Sequence, residues 1–138
     1  MVLGLGLDLV EIGRIAKACE KPHFRARIFT PAENARIDER GAQTAAGIFA
    51  AKEAVVKALG TGFRGFGPAA IEVRVDALGK PLCALSGKAL ERMQVLGGET
   101  IHLSITHTGD MAAATERLLT ETYSLPDVEV LLVGHHGS

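Results

Sequence analysis

Thr44-Ala-Ala-Gly-Ile-Phe-Ala-Ala-Lys-Glu-Ala-Val-Val-Lys-Ala-Leu-Gly-Thr-Gly62 is the stretch on which the fold turns. Its alanine content favours helix, and Gly60, directly after Leu59, supplies a stop. Thr44 to Leu59 therefore reads as a long helix. Glu53 and Lys57 share one of its faces, roughly opposite Ile48, Val55 and Leu59, because side chains spaced by four stack along a helix. Ala46 and Ala50 flank the pair, small neighbours that would let a ligand or a second chain come close. Glu followed by Lys at this spacing is also an ordinary surface pair worth about 0.2–0.5 kcal/mol.

Upstream, Leu3, Leu5, Leu7 and Leu9 alternate with Gly4, Gly6 and Asp8, the period of a strand with one packed face and one nearly bare. Asp8 belongs to the bare face, where the two glycines leave room for a ligand. From about Glu11 to Lys21 a helix is expected, with Arg14, Lys17 and Lys21 on one side. Thr30-Pro-Ala-Glu33 has the form of a capping box opening another helix.

Downstream of the long helix, the glycine-rich loop Gly60 to Pro68 leads to a hairpin. Ile71, Val73 and Val75 alternate with polar residues, a turn follows at Gly79-Lys-Pro81, and Leu82 to Leu85 returns. Ser86 is placed to cap a short helix from about Gly87 to Leu96. Ile101, Leu103 and Ile105 form a further strand that delivers His107.

With 138 residues, 47% hydrophobic and 22% charged, the chain suits one folded core. Its formal charge of −1 offers no broad attraction to nucleic acid or to an anionic membrane, so neither is expected as a partner. Cys19 and Cys83 match no metal-binding or disulfide spacing and read as buried thiols. The apolar start contains Asp8 and lacks the pattern of a secretory leader. No run approaches the ~18 apolar residues of a membrane span, and a cytoplasmic location is expected.

Several residues invite chemistry. Asp8 would be costly to bury among Leu and Val without a metal or another cation to compensate it; capping the next helix is the plainer alternative. Backbone N–H groups of the glycine loop can approach phosphate oxygens, with Lys57 and Arg64 close by, although the loop is not a Walker motif. His107 fits either a satisfied core position or a proton-transferring group beside a phosphate.

These pieces resemble the holo-(acyl-carrier-protein) synthase family of 4′-phosphopantetheinyl transferases. The matching motifs, in family order, are Gly4-Leu-Gly-Leu-Asp-Leu-Val-Glu-Ile12 with Arg14, Phe29-Thr-Pro-Ala-Glu33, Phe49-Ala-Ala-Lys-Glu-Ala54 continuing through Lys57-Ala-Leu-Gly-Thr-Gly62, Gly79-Lys-Pro81, and Leu103-Ser-Ile-Thr-His-Thr108. The resemblance implies an α+β fold, an antiparallel sheet packed against a long central helix, assembled as a homotrimer with active sites at subunit interfaces.

It further implies transfer of 4′-phosphopantetheine from coenzyme A to a serine of apo acyl carrier protein, releasing 3′,5′-ADP, for fatty acid biosynthesis. Asp8 and Glu53 would hold Mg²⁺, Lys57 would stabilise the phosphates, and Glu53 or a metal-bound water would be the base. Gly60, Thr61, Gly62 and His107 would line the coenzyme A site, and Arg14, with Lys17 and Lys21, would dock the acidic carrier protein.

The chain departs from the family pattern in two places. Ile48 stands where a basic residue usually precedes the Phe-Ala-Ala-Lys-Glu motif. Beyond Thr108-Gly-Asp-Met111 the resemblance gives out: Ala112 to Leu119 looks helical, and Val128 to Val133 looks like a buried strand. The segment ending His135-His136-Gly-Ser138 resembles a fragment of a competence-type metallo-β-lactamase domain. The expected division is thus a transferase domain over 1–110 and an atypical segment over 111–138. Two further readings remain: a trimeric scaffold that binds coenzyme A or carrier protein without transfer, and a hydrolase built on the tail. For the latter, His135 and His136 lack the partners of a catalytic zinc site.

Overall fold

Described by the computed structural model are residues 2–108 and 111–119. Strand β1 (Val2–Glu11) is followed by helices α1 (Ile12–Cys19), α2 (Pro22–Ile28), α3 (Pro31–Arg40) and α4 (Ala42–Leu59). After the glycine-rich loop and a 3-10 turn, Pro68–Ala70, come β2 (Ile71–Val75), β3 (Pro81–Leu85), α5 (Gly87–Val95), β4 (Thr100–Thr108) and β5 (Met111–Leu119). One antiparallel sheet has the order β1-β5-β4, and β2 pairs with β3 in a second. This is the expected α+β arrangement of a sheet against a long helix.

The core explains why α4 is so rich in alanine. Ala45, Ala46, Ala50, Ala51 and Ala54 are buried in one cluster with Leu103 of β4 and Ala112 and Ala114 of β5. Small side chains on both elements let helix and sheet approach closely. Ala46 and Ala50 are therefore packed inside the chain's own core, not left open for a ligand or partner as expected.

The two faces of β1 are likewise the reverse of expectation. A Cβ added at Gly6 would fall on the carbonyl oxygen of Ala54, and one at Gly4 on that of Ala58. The glycine face is thus filled by α4, while Leu5, Leu7 and Leu9 are 61%, 52% and 38% exposed. Alternation says that two faces differ; the close backbone approach that only glycine permits decided which one lies inside.

Ala112 to Leu119, expected as helix, is the central strand β5. Its register runs Asp8↔Ala114↔Ile105 and Val10↔Ala112↔His107. Alanine's helix propensity, a weak prior, yields here to two flanking strands and a helix that accepts only small residues. The expected strand Val128 to Val133 and the residues His135 and His136 lie outside the described residues.

The helical boundaries differ in smaller ways. The expected helix to Lys21 ends at Cys19, and α2 follows at once. Lys21 precedes Pro22 and takes an extended conformation, φ −92° and ψ 114°, as proline demands of its predecessor. Gly41, at φ 92°, lets α4 begin at Ala42 rather than Thr44. The capping box is formed as expected: Glu33 N donates to Thr30 Oγ1 and Thr30 N to Glu33 Oε1. Ser86 sits at the N-cap of α5 without a side-chain cap bond; its Oγ donates to the carbonyl of Ala70 instead.

Candidate active site

Asp8, Glu53 and Lys57 come together where β1 passes under the C-terminal half of α4. The glycines of β1 allow this approach, and the helical spacing puts Glu53 and Lys57 on the side facing the strand. Lys57 Nζ is 2.9 Å from Asp8 Oδ1 and donates to the Leu7 carbonyl at 3.0 Å. Asp8 Oδ2 is buried and has no hydrogen-bond partner. Burial, and then the charge of Asp8, push the Glu53 carboxyl above the usual carboxylate range, against the opposing pull of Lys57.

Two carboxylates thus share a site that one ammonium does not fully neutralise. A buried acceptor without a donor is costly, and a cation between Asp8 Oδ2 and Glu53 would relieve both that cost and the repulsion. The donors are hard oxygens. Among the described residues no group of three or more potential ligands occurs, and two carboxylates completed by substrate phosphates and water is a set that suits Mg²⁺. The residues present therefore fit that ion.

The glycine loop begins within reach of this cluster. Gly60 ends α4 in the left-handed conformation, φ 76°, and its N–H donates to the carbonyls of Val56 and Lys57. Gly62 also has a positive φ, 59°. Thr61 Oγ1 donates to the Gly62 carbonyl at 2.9 Å. Arg92 of α5 holds the base of the loop through Nε to the Leu59 carbonyl, at 3.0 Å.

His107 is not brought to the carboxylates. It stands on β4, the far edge of the sheet, and its Nε2 lies 2.8 Å from the Gln43 carbonyl at the start of α4. There it lines a cavity of about 230 Å³ together with Arg36, Arg40, Thr44 and Ile48. Neither arginine carries a motif or a distinctive spacing in the sequence.

Arg14, Lys17 and Lys21 are all exposed. Arg14 borders a second cavity, about 330 Å³, whose other walls include Leu9, Ile15, Phe24 and Phe49. The rings of Phe24 and Phe49 stack at 6.3 Å. Phe24 gives no signal in the sequence, and Phe49 stands out only as the first residue of the Phe-Ala-Ala-Lys-Glu motif, since an apolar residue in a helix reads first as core.

Residues 4–115 match the sequence profile of the 4′-phosphopantetheinyl transferase superfamily. The holo-[acyl-carrier-protein] synthase of Solidesulfovibrio magneticus is 47% identical over 117 residues, covering 83% of this chain and 95% of that protein. The chain belongs to the holo-[acyl-carrier-protein] synthase family. Two solved members of that family fit its backbone. The crystal structure from Neisseria meningitidis superposes with a TM-score of 0.78 at 34% identity, over 87% of this chain and 100% of the other. The Helicobacter pylori synthase, solved in complex with coenzyme A, gives 0.72 at 29% identity, over 83% of this chain and 99% of the other. The profile match runs past Thr108 into β5.

Proposed function

We propose that this member of the family transfers 4′-phosphopantetheine from coenzyme A to a serine of apo acyl carrier protein, with Asp8 and Glu53 holding Mg²⁺. The observation that carries the reading is the buried, unpartnered Asp8 Oδ2 beside a Glu53 whose ionised form is disfavoured. When bound, Mg²⁺ would neutralise charge on the pyrophosphate of coenzyme A and on the departing 3′,5′-ADP. The serine oxygen attacks the phosphorus next to pantetheine, the bond to 3′,5′-ADP breaks, and the serine proton leaves. Glu53 or a water beside it would accept that proton. Lys57 stands ready to pair with phosphate oxygens, and the glycine-rich loop that begins at Gly60 extends that cradle through Thr61 and Gly62.

The Arg36, Arg40 and His107 cavity suits the remaining phosphate of coenzyme A, and its two guanidinium groups supply the positive charge that Ile48 does not. Within one chain, however, His107 bonds to α4 at Gln43, about 15 Å along the helix from Glu53 at 1.5 Å per residue. A neighbouring copy closes that gap. The exposed leucines of β1 are the surface that such an assembly would bury, since apolar patches of this kind mark interfaces. We therefore propose a homotrimer with its active sites between subunits. Leu7→Lys is expected to yield a monomer by light scattering, with transfer largely lost; a variant that stays assembled would contradict this interface.

Carrier docking falls to the α1 face. Arg14 and Lys17 share one side of that helix, Lys21 follows at its end, and the neighbouring cavity offers Phe24 and Phe49 to an apolar side chain of the carrier. An acidic partner with one apolar anchor fits both features. Among the described residues no helix is long and apolar enough to cross a membrane.

Lys57 pairs with Asp8 Oδ1 and so would compete with a cation there. Lys57→Met is expected to strengthen Mn²⁺ binding to the free protein by up to about tenfold, read by electron paramagnetic resonance, while weakening transfer. Unchanged Mn²⁺ affinity would show that the ammonium and the cation do not share the site. The reading as a whole is tested by calorimetric titration with coenzyme A. Binding is expected to tighten with Mg²⁺ and to lose that response in Glu53→Gln; binding indifferent to Mg²⁺ would remove the carboxylates from the metal role.

A further inference from the structure

Position 52 stands beside Glu53 in an alanine-rich helix, where a lysine would ordinarily reach for water. Lys52 is instead 1% exposed, and its partner Glu33 is 0% exposed. The ammonium lies 2.6 Å from Glu33 Oε1. It also donates to the carbonyl of Ile28 at 2.8 Å and to that of Pro68 at 3.0 Å, so all of its protons are engaged. Glu33 in turn accepts from Thr30 N through Oε1 and from Val73 N through Oε2, at 2.8 and 2.7 Å. The end of α2, the cap of α3, the turn after the glycine loop and strand β2 all meet at one nitrogen and one carboxylate.

A buried ion pair of this kind is weak grounds for stability, because well-packed apolar residues often serve as well. Its particular value here is geometric. The loop leaves α4 at Gly60 and contains Gly60, Gly62 and Gly65, all with positive φ, so its own backbone does little to fix its path. Its far end is held back against the helix by the Lys52 bond to Pro68, one residue from Glu53 along the chain.

We propose that Lys52 is a positioning residue: its ammonium ties the far end of the glycine-rich loop to α4 and so fixes the loop's place beside Glu53 and Lys57. This rests on the transferase reading above. A loop displaced by about 1 Å is enough to cost on the order of 100-fold in turnover, although Lys52 itself touches no substrate.

Lys52→Met alone would strand the buried Glu33 charge and risks failing to fold. The decisive comparison is Glu33→Gln, which keeps the lysine and its bond to Pro68, against the double variant Glu33→Gln with Lys52→Met, which keeps neither charge nor tether. The double variant is expected to melt at or above Glu33→Gln, because the single substitution leaves the Lys52 ammonium buried without its carboxylate. Its kcat/KM should nevertheless fall about 100-fold below that of Glu33→Gln, mostly through kcat. Trypsin should cut it faster after the exposed Arg64 in the loop. Equal transfer and equal cleavage in the two variants would overturn the proposal. Should the wild-type protein transfer nothing, the functional reading falls, and the cleavage rate at Arg64 still decides whether Lys52 holds the loop.

Discussion

Asp8→Asn is expected to lower phosphopantetheine transfer by about 10³-fold or more while leaving the fold intact. A cation that stabilises developing phosphate charge contributes several kcal/mol to the transition state, and each 1.36 kcal/mol is a factor of about ten in rate. Asp8 supplies the oxygen most in need of that cation, the buried Oδ2 without a partner. The same oxygen burdens the metal-free protein, since an unsatisfied buried acceptor costs about 1–3 kcal/mol. Its ion-pair partner, Lys57, has a half-exposed side chain and contributes little. Without Mg²⁺ the melting temperature of Asp8→Asn should therefore equal or exceed that of the wild type. Calorimetric melts with and without Mg²⁺, beside a transfer assay, check both halves. A variant that is both active and less stable would place Asp8 in a purely structural role.

Gly6→Ala is expected to destabilise the protein by at least about 3 kcal/mol, the upper range for forcing extra atoms into a packed core. The added Cβ would meet the Ala54 carbonyl, backbone rather than a side chain that can swing away. β1 cannot retreat without breaking its pairing with β5. A fall in melting temperature on the order of 10 °C should follow. Gly13→Ala is the control. Its nearest neighbour would be Glu11 Oε1 at 3.8 Å, and alanine in a helix is favoured over glycine by about 1 kcal/mol. If Gly6→Ala melted like Gly13→Ala, the close seating of α4 on β1 would be wrong.

Much of this was legible in the residues, and the exceptions share a cause. The Thr30 capping box, the β2–β3 hairpin, the long helix and the strand ending at His107 are local patterns, and each formed where its pattern stood. The inward face of β1 and the strand β5 depend on what lies across from them. Glycines against helix backbone and alanines against alanines are properties of a contact, and no single segment carries them. Asp8, Glu53 and Lys57 could be nominated from charge in an apolar strand and from helical spacing. Lys52 and Glu33 could not, because a lysine in a helix and a glutamate in a capping box each have a sufficient local explanation. Arg36 and Arg40 escaped for the same reason, their cavity being walled by three distant parts of the chain.

The measurement that bears most directly on the central claim is the intact mass of an apo acyl carrier protein after incubation with this protein, coenzyme A and Mg²⁺. The carrier is expected to gain the mass of one phosphopantetheine, and EDTA is expected to abolish the gain. A carrier whose mass stays unchanged, when the protein is folded and assembled, would contradict transfer and leave a scaffold that binds without chemistry.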